Sequence, residues 1–373
     1  MLLKVLLLFF VPLCFCQPTK LTFKNVTFRG YNLYTEKFKK TIPSSNSLKE
    51  FLPESVFDEI EFKEQYIPVL YEDSLADLED LDELVIEYCQ VLEIQAGALK
   101  NVPWLRRFSL KDSDGLISHP DLQQKLGSGN NLERIEEGVF NNLPISTLDL
   151  SLNSISNIES GAFDDLPGIL NINLADNKIA KWNPNWFKNT PLLTRISMQN
   201  NSITKLPNGA FKNLAGDKKF GKVYLTINIV LSYNKIKVIE PKAFKGLTKI
   251  NNLWLDNNRI EVFDEDLLDN IEVSDLRLNG NNIHCLDGDL GKVIKADMTH
   301  LDSNPFDCEC LSEIKTWAEQ NEKNIEIFFS EMDCTTQRIK NKMVALEKRL
   351  KEIRDQENDI EVAEGQPTSV PIK

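Results

Sequence analysis

The amino-acid sequence predicts an α/β fold: a curved solenoid of about ten stacked coils, with one parallel sheet along its concave wall. Three observations predict it. Asn153, Asn177 and Asn201 stand 24 residues apart. Apolar residues fall eight, five and three positions before each, and two and five after. A phenylalanine follows ten residues after each, at Phe163, Phe187 and Phe211. A period of this length marks repeated units, none of which can bury its apolar side alone, so the units must stack. The apolar residues before each Asn alternate as a short strand does, pointing into a narrow core. The Asn stands where the chain turns out of the strand, and its amide can satisfy backbone groups of adjacent coils. The phenylalanines form a column on the convex side.

The pattern, LxxLxLxxNxIxxI followed by Phe, resembles the leucine-rich repeat of extracellular proteins. The resemblance covers most of the chain. Composition agrees with a folded repeat protein: 373 residues, 42% hydrophobic and 27% charged. The net charge of −13 weighs against broad nucleic-acid binding, which needs clustered Lys and Arg.

The elements follow in order. Residues 1–16, MLLKVLLLFFVPLCFC, read as a signal peptide cleaved near Cys16–Gln17. Residues 17–45 read as an N-terminal capping segment, in which LTFKNVTF supplies a first strand and Asn25 heads a glycosylation sequon. The resemblance implies a cysteine-bearing cap at this end, yet residues 17–88 contain no Cys. Repeats span residues 46–303, with Gln65, Cys89 and Ser113 in the ladder position of the first coils. Cys89 is expected to be a buried free thiol, the alternative being an intermolecular disulfide. An inserted loop occupies residues 114–130, and the template resumes at Leu132 and Phe140. Residues 215–223 interrupt it again before the coils of Asn234, Asn258, Asn281 and Asn304. Such insertions are frequent contact sites and also cheap places to add residues.

Residues 304–335 contain NPFDCEC, then a helix with Trp317, then Cys334, and resemble the cysteine-rich C-terminal cap of extracellular leucine-rich repeat proteins. Leu311 and Trp317 are expected to cover the open end of the core. Cys285 and Cys308 each stand four residues after a ladder Asn, so stacking favours Cys285–Cys308, leaving Cys310–Cys334. The resemblance implies the other pairing, Cys308–Cys334 with Cys285–Cys310. A zinc site is disfavoured in an oxidising compartment. Residues 336–362 carry a heptad seam, Ile339, Met343, Leu346, Leu350, Ile353 and Ile360. It reads either as an amphipathic helix folded back on the solenoid or as a short coiled coil for homo- or heterodimerisation. Residues 363–373 read as a disordered tail.

No catalytic, cofactor-binding or metal-binding residues are expected. His119, His284 and His300 are scattered over different coils without a triad-like context, and no phosphate loop or paired-histidine motif occurs. What remains is binding. The outward column of the strands reads Glu61, Val85, Ser109, Asp149, Asn173, Ser197, Val230, Trp254, Arg277 and His300. Trp254 with Tyr233, Arg277 and His300 is the candidate contact patch for another protein, weighed against an incidental exposed aromatic. Asn200 heads a second sequon at the rim, where a glycan would obstruct the middle of the concave face. No segment after the leader is apolar and long enough to span a membrane, so a secreted protein is expected.

The combination of solenoid, cap and C-terminal helix resembles insect secreted leucine-rich repeat proteins, including the leucine-rich immune proteins of mosquitoes. The resemblance implies a secreted recognition or adaptor role in innate immunity. The alternatives are an extracellular-matrix or cell-surface scaffold, and a decoy ectodomain.

Overall fold

The computed structural model describes residues 20–54, 57–111, 130–214, 219–220, 223–224 and 226–327, with helical residues 334, 336, 339–340, 342–351 and 353–354. The leader, Ser113, His119, Ile360 and the C-terminal tail lie outside the described residues.

Thirteen strands form one sheet along the concave wall. They are β1 (Phe23–Asn32), β2 (Thr35–Ser45), β3 (Glu59–Lys63), β4 (Glu83–Glu87), β5 (Arg107–Lys111), β6 (Thr147–Asp149) and β7 (Asn171–Asn173). There follow β8 (Arg195–Ser197), β9 (Ile227–Val230), β10 (Lys249–Trp254), β11 (Glu272–Arg277), β12 (Met298–His300) and β13 (Asn324–Glu326). From β3 to β13 every neighbour is parallel, whereas β1 runs antiparallel to both β2 and β3. The ladder connects Glu61, Val85, Ser109, Asp149, Asn173, Ser197, Val230, Trp254, Arg277 and His300 in one continuous column. That is the outward column read from the repeat spacing. Arg29 precedes it and Glu326 follows it.

The asparagine ladder explains the register. In Asn177, the side-chain amide donates to the carbonyls of Leu150, Leu174 and Ala175, and its carbonyl accepts from Ile155 N–H at 2.9 Å. Asn153, Asn201, Asn234, Asn258, Asn281 and Asn304 repeat the scheme. Just before the ladder position the backbone is left-handed: φ is 54° at Glu64, 52° at Tyr88, 57° at Asp176, 52° at Asn200 and 55° at Tyr233. In the coil of Asn281 this place is Gly280, φ 66°, where a Cβ would lie 2.6 Å from the Asn257 Oδ1.

The insertion between β5 and the next coil is placed differently from the sequence reading. Asn130, 2% exposed, occupies the ladder position assigned to Ser113. Its amide donates to Ile86 O at 3.0 Å and Lys111 O at 2.9 Å, and its carbonyl accepts from Cys89 and Val91 N–H. The chain therefore leaves after Lys111 and re-enters the ladder at Asn130. Because the strands are parallel, this excursion starts at the sheet's C-terminal rim. The second interruption precedes β9, and there Lys219–Phe220 pairs antiparallel with Val223–Tyr224.

Apolar side chains fill the space between the walls. Phe163 stacks on Phe187 at 5.6 Å and Phe211 on Phe244 at 5.5 Å. Between Phe187 and Phe211 the column is breached by Trp182, 4.7 Å from Phe211, whose indole N–H donates to Ala210 O. Phe23 and Phe28 of β1 pack on Phe62, so aromatic rings close the N-terminal end where cysteines were implied. Gly30 makes room for the ring of Phe38 on β2. Gln65 accepts from Thr27 N–H at 2.7 Å and ties this hairpin to the ladder.

At the other end, helix α1 (Cys308–Gln320) buries Cys310, Leu311, Ile314 and Ala318 over the last coil. The disulfides are Cys285–Cys310 and Cys308–Cys334, which corrects the pairing expected from stacking. The stacking argument fails because the chain stops coiling at Asp307 and enters the helix. Residues two apart in a helix point about 200° apart. Cys310 thus turns inward to Cys285 while Cys308 turns away. The C-terminal helix is also not folded back: Ile339, Met343, Leu346, Leu350 and Ile353 are each more than half exposed.

Candidate binding surface on the concave sheet

Parallel pairing brings Trp254, Arg277 and His300 side by side on β10, β11 and β12. They are joined by two carboxylates that the sequence reading did not include. Trp254 Nε1 donates to Asp275 Oδ2 at 2.8 Å. The Arg277 guanidinium lies 4.0 Å over the Trp254 ring and its Nε donates to Asp275 at 3.1 Å. His300 Nε2 is 3.0 Å from Asp275 Oδ1, and its Nδ1 is 2.5 Å from Glu326 Oε2. Asp275 stands two residues before Arg277, on the same face of β11, which is a signal the period-two rule could have found. Glu326 lies on β13, a strand beyond the last repeat, and no repeat spacing points to it.

The consequence is a preorganised patch. Trp254 is half-buried under Arg277 rather than fully open, so its ring is held in one orientation. Cation–π stacking and the shared carboxylate fix the guanidinium while leaving further donors for a ligand. Tyr233 stands apart from this network, at the exit of β9 in left-handed backbone and 55% exposed.

The first coils carry a different surface. Glu59 and Glu83 face each other directly across β3 and β4. Burial and the neighbouring Glu83, Glu61 and Asp58 push the Glu59 carboxyl up. Arg107 answers Glu83 and Asp82, and Lys63 answers Glu87 at 2.7 Å. This third of the wall is an alternating ion-pair field, into which Tyr31 of β1 donates its hydroxyl to Glu61 at 3.0 Å.

Cys89 fills the ladder place of its coil. Its thiol donates to the Phe62 and Glu87 carbonyls. Burial pushes the thiol up to about 12, so it is neutral and inert at physiological pH. Asn25 and Asn200 are both exposed; Asn200 donates to Asp176 at 2.6 Å on the exit rim. Among the described residues, no helix is long and apolar enough to cross a membrane.

Residues 123–216 match the BspA type leucine rich repeat region in six copies, and residues 227–283 match the leucine rich repeat. The coils within these spans are therefore leucine-rich repeats. No curated protein matches the chain. Among solved structures, a chain of the Drosophila Toll–Spatzle complex matches with TM-score 0.51 at 17% identity, covering 67% of this chain and 35% of that one. The mouse RP105/MD-1 complex matches with TM-score 0.47 at 17% identity, covering 72% of this chain and 54% of that one. The TLR13–ssRNA13 complex matches with TM-score 0.47 at 22% identity, covering 63% of this chain and 32% of that one. This chain thus spans about a third to a half of the chains it matches. For the Toll–Spatzle chain, at 17% identity, the likeness is one of fold.

Proposed function

We propose that this is a secreted, non-enzymatic recognition module that binds another protein through the concave face of its repeats. The observation that carries the reading is the Trp254–Asp275–Arg277–His300 patch. Aromatic and Arg side chains held rigid on a curved wall have the composition of an interface hot spot. The two disulfides support an oxidising compartment, as secretion requires. The test is Trp254→Ala in the protein purified with its partner from its own body fluid. Affinity is expected to fall by about tenfold or more, with the melting temperature nearly unchanged. Unchanged affinity would exclude this patch.

A specific observation favours a second contact. The five exposed seam residues between Ile339 and Ile353 form an apolar stripe on a helix that does not cover the solenoid. We assign it to a short coiled coil, with a second copy or another chain. Sedimentation of the full chain against a Leu346→Lys variant decides between them: loss of the dimer is expected, and a wild-type monomer at all concentrations would refute the second copy and leave only another chain.

The biological setting we propose is innate immunity, on the strength of the architecture. Induction of the transcript by infection is the expected result. Constitutive expression in developing tissue would instead favour a matrix or cell-surface scaffold.

A further inference from the structure

The hairpin of β1 and β2 ends in the two-residue turn Leu33–Tyr34, with φ of 47° and 65°. Both residues are left-handed. Asn-Gly is the relaxed choice for such a turn, and bulky side chains there are strained. Leu33 is 77% exposed and Tyr34 92%. Strain that carries two large apolar side chains into water points to a use for them. The hairpin's own charge is equally unusual, its β1 side lying against Glu59 and Glu61 of β3 and its β2 side open. The hairpin holds Lys24, Arg29, Lys37, Lys39 and Lys40 against Glu36 alone, in a chain of net charge −13. Lys37, Lys39 and Lys40 are exposed on β2, the outermost strand, at the end of the solenoid.

We propose that this hairpin docks the protein on an anionic lipid surface. Leu33 and Tyr34 enter the headgroup region while Lys37, Lys39 and Lys40 pair with the headgroups. Lysines on an edge strand also prevent edge-to-edge pairing, but that role leaves the apolar tip unexplained. A protein partner accounts for the composition less well, because protein interfaces favour Arg and are depleted in Lys. Here the one arginine is already engaged, 3.6 Å from both Glu36 and Glu61. The Asn25 sequon stands about 25 Å back along β1, so a glycan there leaves the tip clear.

The test is co-sedimentation of the full-length secreted protein with phosphatidylcholine vesicles and with vesicles rich in phosphatidylglycerol. Binding is expected only to the anionic vesicles, and is expected to weaken as salt rises. The double variant Leu33→Asn with Tyr34→Gly relaxes the turn. It should melt no lower than the wild type yet bind about tenfold more weakly or less. Lys37, Lys39 and Lys40 changed together to Gln should lower binding about 100-fold. No sedimentation with anionic vesicles overturns the proposal, as does wild-type binding by the tip variant. A tip-dependent complex with an acidic protein, without vesicle binding, reassigns the surface to a protein partner and also overturns it.

Discussion

Asn130 shows how much one side chain decides. Its amide makes four backbone hydrogen bonds at a nearly inaccessible site. Asn130→Ala strands those backbone groups and should cost about 2–4 kcal/mol, read from urea unfolding. A change under about 0.5 kcal/mol would refute the ladder assignment. The position was legible, for Phe140 stands ten residues after Asn130, as Phe163 does after Asn153. The competing match at Ser113 was nearer its strand, and proximity in sequence hid the better spacing. Cys89, in contrast, is legible from spacing alone. Its neutral, buried thiol should resist alkylation at pH 8 until the chain unfolds, and rapid native labelling would contradict the burial. The sign of its pH effect follows. The folded state holds the proton more tightly, so its contribution to stability is intact below the ordinary value of 9.0 and is lost as pH rises towards about 12.

Among the elements, those built by repetition were readable, and those that end the repetition only in part: the first N-terminal strand and the cap helix with Trp317 were, the second hairpin strand and the cysteine pairing were not. The outward column came directly from the period, because register is set wherever one face of a strand is buried. The return strand of the N-terminal hairpin escaped because β2 is mostly polar and exposed and gives no alternating signal. The partners of the candidate patch divide the same way: Asp275 sits on a repeat strand, Glu326 on a cap strand. At the C-terminal end, helix rotation determines the cysteine pairing, and sequence spacing in coils does not extend into a helix. Cys285–Cys310 closes a loop of sequence separation 25. Replacing both with Ser should cost about 3 kcal/mol in thermal unfolding. Non-reduced peptide mapping should find Cys308 joined to Cys334, and a Cys285–Cys308 peptide would contradict the fold of the cap. Gly280→Ala should also destabilise, by about 1–2 kcal/mol, since it combines left-handed backbone with a clash on Asn257.

In the whole molecule, each coil contacts only its neighbours, so stability accumulates coil by coil and damage stays local. That explains how aromatic rings can close one end and disulfides the other without either constraining the middle. It also separates the surfaces: the hairpin tip stands at one end, the Trp254 patch near the other, and the seam helix beyond it. The clamp at Asn130 has a consequence for how such a molecule can change. Because Asn130 bonds the carbonyl of Lys111, both ends of the excursion are fixed to one point of the scaffold. Chain length between them is uncoupled from the position of every strand. Doubling it would cost only about 0.6 kcal/mol of closure entropy. Deleting residues 112–128 would leave Leu110-Lys111-Gly129-Asn130-Asn131-Leu132, a regular coil, and the shortened protein should melt within a few degrees of the original. A segment held this way can lengthen, shorten or be exchanged between relatives while the wall behind it keeps its shape.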